Sequence, residues 1–281
     1  MLKLSLPLLV LAPALCALAE KATDPPLIAE AFHKMYSSDF AGAQNVIGRY
    51  ISQQPQDPLG YSVRGSAFLF SELDRMGILE SEFFESDRSI SDNRKKLRPD
   101  KQAHDGFYES VQKAQDLAQI TLDKNPNDPQ ALFAVCLAVG ETVDFMALVE
   151  KKQIASLSVN KRAYRIAKHL IQVDPSFTDA YLTTGFTEYL VGALPVVVRW
   201  FVKFDDVKGD KEQGFQNLRL VAKEGHYLKP LAKILLAAGY LREKKPLESQ
   251  KLLGELSREF PGNPLIQKEF AKVNARVKVG G

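Results

Sequence analysis

Five times along the 281-residue chain a small residue is followed by a second residue four places on and a third three places after that. The sets are Ala43/Ile47/Tyr50, Ala114/Ala118/Thr121, Ala163/Ala167/Leu170, Gly214/Leu218/Val221 and Ser249/Leu253/Leu256. Offsets of four and three place three side chains on one stripe of an α-helix. A small first member lets a neighbouring helix come close. In four sets a proline follows five residues later, at Pro55, Pro126, Pro175 and Pro261, where the chain has stopped being helical. No convincing period-two alternation occurs, so the pattern predicts an all-α chain of repeated helical units.

The connections repeat as well. Gln54-Pro55-Gln56-Asp57-Pro58, Asn125-Pro126-Asn127-Asp128-Pro129 and Phe260-Pro261-Gly262-Asn263-Pro264 are versions of one linker, and Asp174-Pro175-Ser176 is a fourth without the second proline. Each closes one helix and opens the next with a capping side chain before proline at the first turn. Tyr61/Gly65/Phe68, Leu132/Cys136/Val139 and Tyr181/Gly185 then give the following helices a large–small–large packing surface.

With these motifs the chain resembles tetratricopeptide-repeat (TPR) proteins, whose helix-turn-helix units of 34 residues carry a small/large/proline signature. The resemblance covers residues 27–277, and the last third is also similar to exported bacterial proteins of that class. It implies an all-α, right-handed TPR-like helical-hairpin solenoid of about five pairs, with a capping helix at about 264–277. Lys268, Glu269, Lys272, Asn274, Arg276 and Lys278 would then face solvent, as a terminal unit requires. The chain departs from the pattern in its spacing, because successive linker prolines lie 71, 49 and 86 residues apart. The largest insertion, at about 76–101, is acidic at Glu80, Glu82, Glu85 and Asp87 and basic at Arg94, Lys95, Lys96 and Arg98. Opposite charge blocks suit either a short folded hairpin or a solvated excursion.

Residues 1–19 stand apart. Lys3 precedes an apolar run, and Ala17-Leu18-Ala19 has the small-x-small form of a signal-peptidase site. We read residues 1–19 as a signal peptide and residues 20–281 as a single solenoid domain. Pro7, Pro13 and the short apolar length oppose a retained anchor, and bulky Leu15 opposes acylation at Cys16. The expected location is outside the cytoplasm, in the periplasm of a bacterium. Removing Lys3, the only charged residue in 1–19, takes the net charge from +3 to +2. That near-neutral balance gives no footing for nucleic acid. Cys136 is then the only cysteine, so packing rather than an internal disulfide must hold the fold.

Little points to an enzyme. His33, His104, His169 and His226 lie apart from one another and from Cys136, so no local metal-ligand pair exists and no cofactor is expected. Phosphate-loop, dinucleotide and nucleophile-elbow motifs are missing. Gly209-Asp210-Lys211 reads as a turn with Asp210 starting the Gly214 helix. Cys136, within an apolar run, reads as a small core residue.

In TPR proteins the first helix of each unit lines a concave groove. Carried over, the groove would be lined by Leu69, Phe70, Phe133, Leu137, Phe186, Tyr189 and Leu190. Such a surface suits a hydrophobic segment of a protein or peptide partner; it could equally be filled by the chain's own helices and become core. The stretch 189–204 ends in Trp200 and Phe201 beside Arg199 and Lys203. It suits a peripheral membrane contact, or burial between stacked units. The expected function is therefore a non-catalytic interaction scaffold, with a membrane-surface adaptor as the alternative.

Overall fold

The structure is a computed structural model that describes residues 25–78, 97–193, 207 and 209–280. Among the described residues eleven α-helices follow one another: α1 (Pro26–Tyr36), α2 (Phe40–Gln53), α3 (Pro58–Arg75), α4 (Lys101–Leu122), α5 (Pro129–Asp144), α6 (Gln153–Val173), α7 (Tyr181–Ala193), α8 (Lys211–Glu224), α9 (Lys229–Arg242), α10 (Pro246–Glu259) and α11 (Pro264–Gly280). No strand occurs among them. Helices α1/α2, α3/α4, α5/α6, α7/α8 and α9/α10 form five hairpins, and α11 caps the last. Each hairpin also packs on the next, α3 lying against α5 and α8 against α9. This is an all-α, TPR-like stack of helical hairpins.

The five stripes explain the pairing, because each falls on the second helix of a hairpin. Their members are buried at 0–6% exposure apart from half-buried Thr121. Small residues at the head of each stripe let the paired helices approach. Two helix backbones approach closely at Gly185 of α7 and Gly214 of α8, where a Cβ on Gly214 would lie 2.6 Å from the Tyr189 nitrogen and 2.7 Å from the Gly185 carbonyl.

Helix starts are fixed by the Asp and Asn side chains of the linkers. Asp57 accepts from the Leu59 N–H at 2.9 Å, Asp128 from Ala131 at 2.9 Å, and Asn263 from Leu265 and Ile266 at 2.9 and 3.0 Å. Asp210 follows Gly209, whose φ of +64° is left-handed, and caps α8 through Glu212 and Gln213. Each such cap satisfies N–H groups that the first helical turn leaves open. The capping helix extends slightly beyond its expected end, and one residue on it departs from expectation. Glu269 is only 4% exposed and pairs with Lys272 at 3.1 Å, so it lies inside rather than in solvent. The core of the insertion, 79–96, lies outside the described residues, as do 1–24.

The stack also closes on itself. Phe32 and Tyr36 of α1 meet Tyr227, in the turn between α8 and α9, and Phe260, in the turn between α10 and α11. One hydrophobic cluster consequently includes residues from Ile28 to Val273.

Candidate protein-interaction face

The residues expected to line the concave groove divide by depth. Leu69, Phe133 and Tyr189 are 2%, 1% and 5% exposed; Phe70, Leu137 and Phe186 are half-buried, and Leu190 is 42% exposed. For the first three, the filled-core arrangement holds in this conformation. The Phe133 ring is stacked parallel to Tyr227 with centroids 6.0 Å apart and tilted against Phe177 at 4.8 Å. Tyr189 meets Phe215 edge-on at 4.9 Å. Leu69 belongs with Phe107, Val111 and Phe145. Phe133 is thus packed beneath Tyr227 and Phe177.

The covering contacts are specific. Phe32 also stacks on Tyr227, at 5.2 Å. The Tyr36 hydroxyl donates to the Tyr227 carbonyl at 3.1 Å, and Asn263 Nδ2 donates to the Tyr36 carbonyl at 2.9 Å. Phe260 tilts against both Tyr36, at 5.7 Å, and His33, at 5.4 Å.

Buried Asp179 sets the Tyr227 turn in place. Its carboxylate accepts from the backbone N–H groups of His226, Tyr227 and Leu228 at 2.9, 2.8 and 3.2 Å. Burial raises its pKa above the usual 3.8, and the three N–H groups oppose that rise. Asp179 follows the only linker of the four that lacks a second proline. That irregularity was the available sequence signal; nothing local indicated Tyr227, Phe32 or Tyr36 as its clients.

A second buried polar group lies where α3, α4 and α5 meet. Glu141 is 6% exposed, accepts from the Ser66 hydroxyl, and leaves Oε2 without a hydrogen bond beside Gly65. Burial, and secondarily Asp144 one turn on, hold its carboxyl well above the ordinary range, against the Ser66 hydrogen bond. Burial pushes Asp144 up to about 7. Both precede a π-helical turn at Phe145–Val149. Helix α5 with this turn is apolar and long enough to cross a membrane. It packs on α3, α4 and α6 and carries these two acids, which suits the central helix of a folded stack.

The histidines stay apart. His104 lies 3.1 Å from Glu150 and from Asp105, His169 Nε2 lies 2.8 Å from Asn127 Oδ1, and His33 meets Phe260. Among the described residues no three His, Cys, Asp or Glu side chains are grouped to hold a metal. Cys136 is buried, 3.6 Å from the Thr183 hydroxyl, and burial raises its thiol pKa to about 11, so it is a poor nucleophile. Trp200 and Phe201 lie outside the described residues.

The class that this architecture defines is the TPR-like helical-hairpin solenoid. Among solved structures the chain is similar to that of a thermophilic TPR protein from Thermus thermophilus, at 12% identity and a TM-score of 0.46 over 89% of this chain and 98% of that one. No protein-family model matches the chain, and no curated protein matches it.

Proposed function

We propose that the chain is a non-catalytic scaffold that binds a protein or peptide partner outside the cytoplasm. Stacked hairpins of this type suit protein interaction, because each unit contributes one helix to a continuous inner face. The observation that carries the reading is the apolar edge of that face: Leu190 is 42% exposed, and Phe70, Leu137 and Phe186 are half-buried. The export expectation rests on residues 1–19. Crosslinking in the native host followed by mass spectrometry tests the reading. Phe186→Asp with Leu190→Asp should remove the crosslinked partner while helicity by circular dichroism is kept. Undiminished crosslinking would show that this edge is not the site.

A second reading, a membrane-surface adaptor, shares Leu190 with the first and adds the start of α6. Thr187 pairs with Asn160 at 3.2 Å and Tyr164 with Glu188 at 2.9 Å, which sets the start of α6 beside the end of α7. Ile154, 86% exposed, and Leu190 stand at that end. Helix α6 contains no acidic residue and carries Lys161, Arg162, Arg165 and Lys168. Apolar residues beside cations suit an anionic lipid surface. Co-sedimentation of the protein with phosphatidylglycerol vesicles would support this reading, and failure to pellet would remove it.

A further inference from the structure

We infer that the outer face of α6 is a docking surface for an acidic segment of a partner protein, gripped by Arg162, Arg165 and Lys168. The inference rests on the scaffold reading and names the chemistry of the partner. Helix α6 contains no acidic residue. Its three cations follow one another at three-residue steps, which sets neighbours on one side of the helix, about 4.5 Å apart along its axis. All three are exposed, and none forms a salt bridge among the described residues. Cations on other helices are paired: Arg49 with Glu30, Lys211 with Glu243 and Arg219 with Glu212.

The surroundings leave these charges uncompensated. Arg162 donates to the Gln115 side chain of α4 at 2.7 Å, an uncharged partner. Asp116 and Asp123 of α4 instead accept from Gln112 and Gln119 of their own helix, at 2.8 and 2.6 Å. Lys168 lies over the Tyr164 ring, 5.7 Å from its centroid. Glu188 of α7, which the Lys168 charge reaches, accepts from the Tyr164 hydroxyl at 2.9 Å and from Asn217 at 3.3 Å. Like charges one turn apart repel along a helix, and carboxylates laid against them relieve that repulsion. Guanidinium groups add geometry, since each can donate two N–H bonds to one carboxylate. Helix α4, beside α6, exposes Glu109, Asp116 and Asp123 among its cations Lys113 and Lys124. A narrow acidic segment can lie along α6 without meeting those acids, whereas a flat anionic surface meets both helices. The observations therefore favour a peptide segment over a membrane.

A fluorescent oligoglutamate peptide, added to the whole chain at low ionic strength, is the probe. Arg162→Gln with Arg165→Gln should weaken its binding about tenfold. Lys113→Gln with Lys124→Gln on α4 lowers the net charge equally and should change the binding less than about threefold. Equal weakening by both pairs would mean that binding follows net charge alone, and would overturn the inference. Failure of the parent chain to bind the peptide would do the same. Should Arg162→Gln disturb the contact with Gln115 enough to lower helicity, Arg165→Gln with Lys168→Gln decides by the same measure. Phosphatidylglycerol vesicles form the second arm. If they pellet the parent but not the α6 variant, while oligoglutamate binds both alike, the face belongs to a membrane and the inference fails. A native partner crosslinked equally by the parent and the α6 variants, yet lost with Phe186→Asp and Leu190→Asp, would overturn the inference and leave the scaffold reading standing.

Discussion

The Tyr36 hydroxyl donates to the main-chain carbonyl of Tyr227, 3.1 Å away and 191 positions along the chain. Tyr36 ends the first helix of the first hairpin, and Tyr227 occupies the turn before the first helix of the fifth. With the Asn263–Tyr36 hydrogen bond and the rings of Phe32, Tyr227 and Phe260, this bond ties together the two ends of the stack. Phe133 and Tyr227 are buried in the same hydrophobic cluster.

Asp179 holds the far side of that contact. Replacing it with alanine leaves three backbone N–H groups without their acceptor in a buried turn, where each lost partner costs on the order of 1–3 kcal/mol. Asp179→Ala should lower stability by about 2–4 kcal/mol in urea denaturation. The loss should include faster exchange at α1, because the displaced turn carries Tyr227. A loss under about 0.5 kcal/mol would mean that the carboxylate is dispensable.

Gly214 tests the close backbone approach of α7 and α8. A methyl group there would collide with the backbone of Tyr189 and Gly185, neither of which is a movable side-chain tip. Gly214→Ala should cost about 1–3 kcal/mol, as overpacking does. Gly262→Ala, with nothing within 4 Å of the added carbon, serves as the near-neutral control. Equal melting temperatures for the two variants would contradict the packing described for α7 and α8.

Asp144 sets the direction of one pH dependence. Burial raises its carboxyl from 3.8 to about 7, and Glu141 moves the same way for the same reason. Between roughly pH 4 and 7 the folded protein therefore holds protons that the unfolded chain has released. The stabilisation is full below the unfolded value and is lost as pH rises through about 7. Asp144→Asn cannot ionise, so its melting temperature should fall less than the parent's between about pH 5 and pH 8. Parallel curves for the two proteins would contradict the assignment.

Asp128 illustrates how much of the fold is readable locally. It caps α5 through Ala131, and Asp128→Ala should cost about 1 kcal/mol by thermal denaturation. The linker acids, the five stripes and the large–small–large helices are signals with a range of a few residues, and the structure carries all of them. The turn at Gly209-Asp210 and the core position of Cys136 were legible for the same reason. Closure was not. It depends on small rotations accumulated over five hairpins, which no local spacing encodes. Hence Phe133 could be assigned to the inner face from the sequence, while its cover, Tyr227, could not. Glu141 and Asp144 stood in view at helical spacing, but the burial of Glu141 depends on Ser66 and Gly65 from α3. Glu269 was misassigned to solvent because charge alone does not reveal the Lys272 pairing that accompanies its burial.

The contact between the first hairpin and the last turn can be measured directly by pulsed electron resonance. Spin labels would replace His33 of α1 and Gly262, which lies two residues beyond Phe260, the ring that His33 touches. Buried Cys136 stays unlabelled, and Cys16→Ser removes the other thiol. A narrow distribution at short separation is the outcome expected of a closed stack. A broad distribution at long separation, in a protein with full helicity, would show an open solenoid and contradict the closure.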